Sequence, residues 1–225
     1  IAGREYATGA YETWSASGLT GVWAEENTRE ALYAALRRKE VFATSGPRIK
    51  IRLFAGYDYA EDDSLAERYA KGVPMGAELH GANGRAPILV ASALRDPSSA
   101  ALQRLQIIKG WVEDGQSREK IYDVACSDGL SPDPKTHRCP NNEAKVNLSD
   151  CSVSSDHGNV MLKTVWQDPD FSPQEHAYYY VRVLENPSCR WSTWDAIRLG
   201  IEPNPDLAAT HQERAWSSPI WYEPN

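Results

Sequence analysis

The sequence predicts an α+β protein in which a helix-containing front is followed by an antiparallel β-sandwich. Three observations carry this. Ala31, Leu32, Ala35 and Leu36 repeat at helical spacing. Ile49, Ile51 and Leu53 then alternate with Lys50 and Arg52, the period of a strand with one buried face. From Pro87 onward, strand-like runs succeed one another through turn sequences, with no helical pattern between them.

The elements can be justified in order. Residues 1–17 carry Gly, Thr and Ser with no helical or strand period, and the chain reads as starting mid-loop, as a piece of a longer protein would. Gly18–Trp23 is a short apolar segment. Asn27 then offers an N-cap with Glu30 three positions on, opening a helix over about 28–38 that is acidic at its start and basic at Arg37, Arg38 and Lys39, as the helix dipole favours. Residues 40–44 turn strand-like, Ser45-Gly46-Pro47 breaks them, and the alternating strand follows. Residues 59–84 are polar and Gly-punctuated, a loop around the sheet edge with room for a short helix over 64–71.

Strands are then expected over 88–94, 102–113, 119–126, 159–167 and 176–184, with Asp114-Gly115 as a hairpin signal. Residues from about 190 onward, rich in Trp and Pro, are expected to be irregular and packed back on the body.

Composition narrows the function classes. The chain has 225 residues and a net charge of -7, which disfavours a nucleic-acid partner. It has no run of about eighteen apolar residues, so no membrane-spanning helix is expected. Cys126, Cys139, Cys151 and Cys189 are separated by 12, 11 and 37 residues, with no C-x-x-C, so disulfides are favoured over a zinc site that would draw on His137 and His157. That points to a periplasmic or secreted protein. Local pairing of Cys126 with Cys139 and of Cys151 with Cys189 is expected, although four cysteines leave three connectivities open.

The stretches ENTREALYAALRRKEVFATSGPRI, LQIIKGWVEDGQSREKIYDVACS, YYYVRVLENPSCRWSTWDA and ERAWSSPIWY, in that order, resemble the carboxy-terminal part of the domain of unknown function 3604 family, which belongs with the polymerase and histidinol phosphatase (PHP) type metallohydrolases. The resemblance implies that residues 1–48 are the last helix and strand of a PHP-type (β/α)7 barrel. Residues 49–225 would be a β-sandwich-like domain with a disulfide-rich loop and a Trp/Pro-rich tail.

It implies hydrolysis of phosphoesters, or of related ester or amide bonds, through divalent metal ions. The family's ligand patterns, an early His-x-His and a late Asp-x-His, do not occur here. His80, His137, His157, His176 and His211 stand singly, with no carboxylate or second histidine at ligand spacing on an evident strand end. The implied metal ligands therefore belong to an N-terminal part of the same protein, and this chain is expected to be inactive by itself.

Thr44, Ser45, Gly46 and Arg48 form the corner that the resemblance would place against an anionic small-molecule substrate. As a simple turn, the same residues only supply backbone geometry. Glu25 and Glu26 suit a helix N-terminus better than a metal, and Asp168-Pro169-Asp170 suits a turn better than a calcium site. Tyr178, Tyr179 and Tyr180 with Trp191 and Trp194 could form an aromatic platform, although alternating aromatics usually fill a core, and Arg182 beside them is expected to pair with a carboxylate. Asn147-Leu148-Ser149 has the form of a glycosylation sequon. No nucleophile elbow or Ser-His-Asp context is found. Two further functions stay open beside the hydrolase: a non-catalytic module binding a carbohydrate or aryl ligand, and a purely structural domain.

Overall fold

In the computed structural model, residues 13–225 are described, so residues 1–12 of the expected irregular start lie outside the described residues. The described residues form two larger open sheets, a separate two-stranded ribbon and three helices. The order is β1 (Leu19–Val22), α1 (Arg29–Arg37), β2 (Val41–Thr44), β3 (Lys50–Gly56), α2 (Leu65–Lys71), β4 (Gly72–Pro74), β5 (Glu78–His80), β6 (Ile88–Leu94) and β7 (Leu102–Glu113). Then come β8 (Gln116–Cys126), β9 (Met161–Gln167), β10 (Ala177–Glu185), β11 (Ser188–Cys189), α3 (Trp191–Leu199), β12 (Thr210–His211), β13 (Arg214–Ser217) and β14 (Ile220–Glu223).

Helix α1 starts one residue later than the cap expected from sequence. Thr28, not Asn27, is the N-cap, and its hydroxyl accepts the Ala31 N–H at 3.3 Å while donating to Glu26. Both residue types can cap a helix, and Thr28 holds the extended backbone that a cap requires. The short helix α2 forms where expected, closed by a reciprocal capping box between Ser64 and Glu67.

Strand β10 organises the larger, eight-stranded sheet. One edge pairs along its length with β7, which continues to β8, and the other edge meets β14 and then β13. β13 continues to β2 and β1, and β14 to β5. The smaller sheet runs β4-β3-β6-β9. All pairings within these two sheets are antiparallel except β5–β14. Neither sheet closes on itself. β2, which the resemblance assigned to a barrel, has antiparallel neighbours on both sides, whereas a strand of a β/α barrel has parallel ones. No barrel exists among the described residues.

The two sheets share one apolar core. Ile51, Leu53 and Leu89 from the small sheet meet Leu105, Ile107, Val181 and Val183 from the large one, all fully buried. Trp23 and Phe42, from before residue 48, pack against the same core, and the Trp23 Nε1–H donates to the Ile51 carbonyl at 2.9 Å. On the outer face of β3, α2 covers Phe54, whose ring meets Tyr69 edge-on at 5.0 Å.

The expected edge loop over 59–84 carries α2 and the short strands β4 and β5, which extend the two sheets. Gly76 lies between the two strands at φ 89°, so close to the Lys39 carbonyl that a Cβ would meet its oxygen at 2.3 Å. The tail expected to be irregular instead contains α3, β12, β13 and β14, and two of these strands flank β10 itself.

Cys126 is bonded to Cys139 and Cys151 to Cys189. Between β8 and β9 the chain has no regular element, only isolated bridges between Val146 and Val153 and between Asn159 and Leu102. Buried Asn142 anchors this loop, accepting from Gln103 at 2.9 Å and donating to Asn186 at 2.9 Å and Asp128 at 3.0 Å.

Candidate functional site

The Thr44–Arg48 corner turns the chain from β2, in the large sheet, into β3, in the small one. Beside it run the Asp96–Ser99 turn between β6 and β7 and the segment His211–Glu213 that enters β13. Thr44 is buried, and its Oγ1 accepts the Gly46 N–H at 3.2 Å. Ser45 accepts the Arg214 N–H at 2.8 Å and donates its hydroxyl to Glu213. His211 Nε2 lies 3.1 Å from the other oxygen of Glu213. Burial pushes the Glu213 carboxyl up, but hydrogen bonds from His211 and Ser45, with the charge of Arg214 nearby, hold it below the usual carboxylate range. Ser45 thus joins His211 and Glu213, from near the other end of the chain, in one chain of hydrogen bonds at the corner.

Two hollows flank it. One, of about 430 Å³, is lined by Pro47, Ser98, Ser99, Trp191, Trp194, His211 and Glu213, together with the Cys151–Cys189 disulfide. Behind Ser99 sits Glu185, to which the Ser99 hydroxyl donates. Burial raises the Glu185 carboxyl to about 7, with the charges of Glu213 and Asp96 adding to the rise. The second hollow, of about 590 Å³, is lined by Arg48, Lys50, Arg95, Asp96, Pro97 and Ser98. Asp96 accepts the Arg48 N–H at 2.7 Å and the Ser98 N–H at 2.9 Å, bonds that hold it low. Arg95 donates to the carbonyls of Asp96, Pro97 and Ser99.

His211 is not isolated, contrary to the sequence expectation. It stands two residues from Glu213, a spacing that puts both side chains on one side of an extended segment. That H-x-E pattern was the available signal. Ser98, Ser99 and Glu185 carried none, because the fold alone brings the β6–β7 turn to the end of β10.

The other candidates fall elsewhere. Glu25 lines a separate cleft of about 530 Å³ with Trp23, Arg38, Arg52 and Tyr69, and Glu26 accepts the Thr28 hydroxyl. At Asp168 and Asp170, lysines occupy the ground a calcium ion would take. Lys109 Nζ is 2.9 Å from Asp168 and 3.1 Å from Glu175, and Lys120 pairs with Asp170.

Tyr179 is buried in the core, while Tyr178 and Tyr180 stack on the outer face at 6.3 Å. They sit in the first half of β10, and Trp191 and Trp194 lie beyond its other end, so no single platform joins them. Arg182 donates to Gln106 at 2.7 Å, where a carboxylate was expected; Gln106 in turn donates to Asp123. Asn147 is exposed, and its side chain accepts from Ser149.

Among the described residues, no group of three or more His, Cys, Asp or Glu side chains converges as a metal site. His211 and Glu213 supply two donors, already engaged with each other and with Ser45, so these residues do not fit a divalent metal cluster. No described helix is long and apolar enough to cross a membrane.

The model of a family described as protein of unknown function (DUF3604) matches residues 2–224. The chain belongs to the DUF3604 family. No curated protein and no solved structure matches this DUF3604 chain.

Proposed function

We propose that this chain is part of a metal-dependent hydrolase of the PHP type, in which it contributes a substrate-binding wall and not the metal centre. The resemblance supplies the reaction class, hydrolysis of a phosphoester or a related ester or amide. The metal ligands would come from an N-terminal part of the same protein. The observation that supports a binding role is the setting of the Thr44–Arg48 corner between two open hollows, with an exposed Arg48 side chain that has no hydrogen bond or ion pair among the described residues. A guanidinium so placed suits a phosphate or carboxylate, which it can engage through two parallel N–H bonds. Two disulfides accord with a periplasmic or secreted setting.

The test is an assay of the whole protein that carries this chain, with manganese or zinc and p-nitrophenyl phosphate. Hydrolysis should vanish on chelation and return with metal, and Arg48→Ala should raise KM about tenfold with little change in kcat, as loss of a charged contact does. Hydrolysis that survives chelation, or an Arg48→Ala enzyme with unchanged KM, overturns the proposal.

A second function, the binding of a carbohydrate or aryl ligand without chemistry, is favoured by one observation. Trp191 and Trp194 line the same hollow as the serine hydroxyls, His211 and Glu213.

A further inference from the structure

We infer that the two hollows form one bipartite site for an acidic saccharide, with a sugar ring in the Trp191/Trp194 hollow and its carboxylate or sulfate group in the Arg48/Lys50 hollow. The inference rests on the ligand-binding function of this cleft and shares Arg48 with the hydrolase proposal, but it is tested by binding and not by hydrolysis.

The hollows are neighbours. Ser98 lines both, and Pro47 and Arg48, consecutive residues of the corner, line one each. A ligand longer than one sugar unit can therefore cross the Ser98 ridge. Their chemistry differs in a way that a single ligand can match. In the first, the indoles of Trp191 and Trp194 line the hollow, with Arg190 and Arg198 each over one ring at 5.2 and 5.4 Å and the opposite faces left for stacking, and Ser98, Ser99, His211 and Glu213 bring hydroxyl, imidazole and carboxylate groups around them. Sugars need that combination, since their C–H faces stack on aromatic rings while their hydroxyls both donate and accept.

The second hollow is cationic. It has three basic side chains and one carboxylate, and the carboxylate of Asp96 already accepts two backbone N–H groups. Arg95 is committed to backbone carbonyls. Arg48 and Lys50 keep exposed charges with no hydrogen bond or ion pair among the described residues, although the Arg48 charge helps to hold Asp96 low, in a protein whose net charge is -7. Local positive charge against that background selects for an anion at this spot.

Calorimetric titration of the whole chain decides the matter, with three probes of equal length: an oligogalacturonate, a sulfated oligosaccharide and a neutral oligosaccharide. At low salt at least one anionic probe should bind roughly fivefold more tightly than the neutral one, the scale of two exposed ion pairs. The preference should fade by about 0.5 M salt. A double variant, Arg48→Gln with Lys50→Gln, should erase the preference, bringing the anionic probes down to the affinity of the neutral one. It retains the Arg48 backbone bond to Asp96, and an unaltered circular dichroism melt would show that the fold persists.

Trp194→Ala should weaken all binding more than tenfold. The uronate and sulfate arms distinguish which acidic group is preferred. Equal binding of neutral and anionic probes overturns the inference while leaving the cleft a sugar site. No binding of any probe overturns both, and neither result touches the hydrolase assay.

Discussion

Glu185 is fully buried, and among the described residues only one of its carboxylate oxygens has a partner, the Ser99 hydroxyl. Desolvation raises its folded-state value from 4.5 to about 7, with Glu213 and Asp96 adding to the rise and Ser99 and Arg95 opposing it. The sign follows from linkage: the folded state holds a proton that the unfolded state releases, so the favourable contribution is full below about pH 4.5 and is lost as pH rises to about 7. Glu185→Gln keeps an oxygen to accept from Ser99 and removes the titration. The variant should match the wild type in thermal stability near pH 4.5 and exceed it at pH 8, by up to about 3 kcal/mol. Parallel stability–pH curves for the two proteins, measured by denaturant titration, would show that Glu185 titrates normally.

At the scale of elements, the loop between β8 and β9 shows how much structure comes from covalent and polar ties instead of an apolar core. Closing separations of 13 and 38 residues, the two disulfides contribute about 3 and about 4 kcal/mol by chain entropy. Cys151–Cys189 also joins this loop to the segment leading into α3, so it holds the wall on which Trp191 and Trp194 stand. Reduction should raise amide exchange across residues 139–160 and weaken sugar binding, while β6, β7 and β10 stay protected; unchanged exchange in the loop would mean that Asn142 and its partners suffice.

Legibility in the sequence follows the same physics. β6 and β7 were readable to the residue, because long apolar or alternating runs bounded by turns leave few choices. α3 was missed because Arg190 at its N-cap makes no side-chain capping bond and its first turn, Trp-Ser-Thr-Trp, is poor in strong helix formers. β13 and β14 have four residues each, too few for a period to stand out among Trp and Pro, and they are strands only because the edge of β10 is there to pair with them. At the candidate site, the Thr44–Arg48 corner was legible as a turn with chemistry. The neighbouring Ser99 and Glu185 were not, since tertiary proximity leaves no trace in sequence spacing, and the H-x-E spacing of Glu213 did not show that it would meet Ser45.

The whole molecule is best understood from the way β2 is held. It leaves α1, pairs with β13 from near the far end of the chain, and hands over directly to β3 across the corner. Trp23 and Phe42 before residue 48 and Ile51, Ile107 and Val181 after it are joined in one core. Segments that share a sheet and a core cannot lose their structure independently, because unfolding either exposes the other's apolar face. Heating should therefore give a single calorimetric transition. Ile107→Ala, which opens a cavity between the two sheets, should cost about 3 kcal/mol and lower that one transition by about 6–12 °C for a chain of this length. Two resolved transitions, or an Ile107→Ala shift confined to one of them, would mean that residues before 48 fold as a unit of their own.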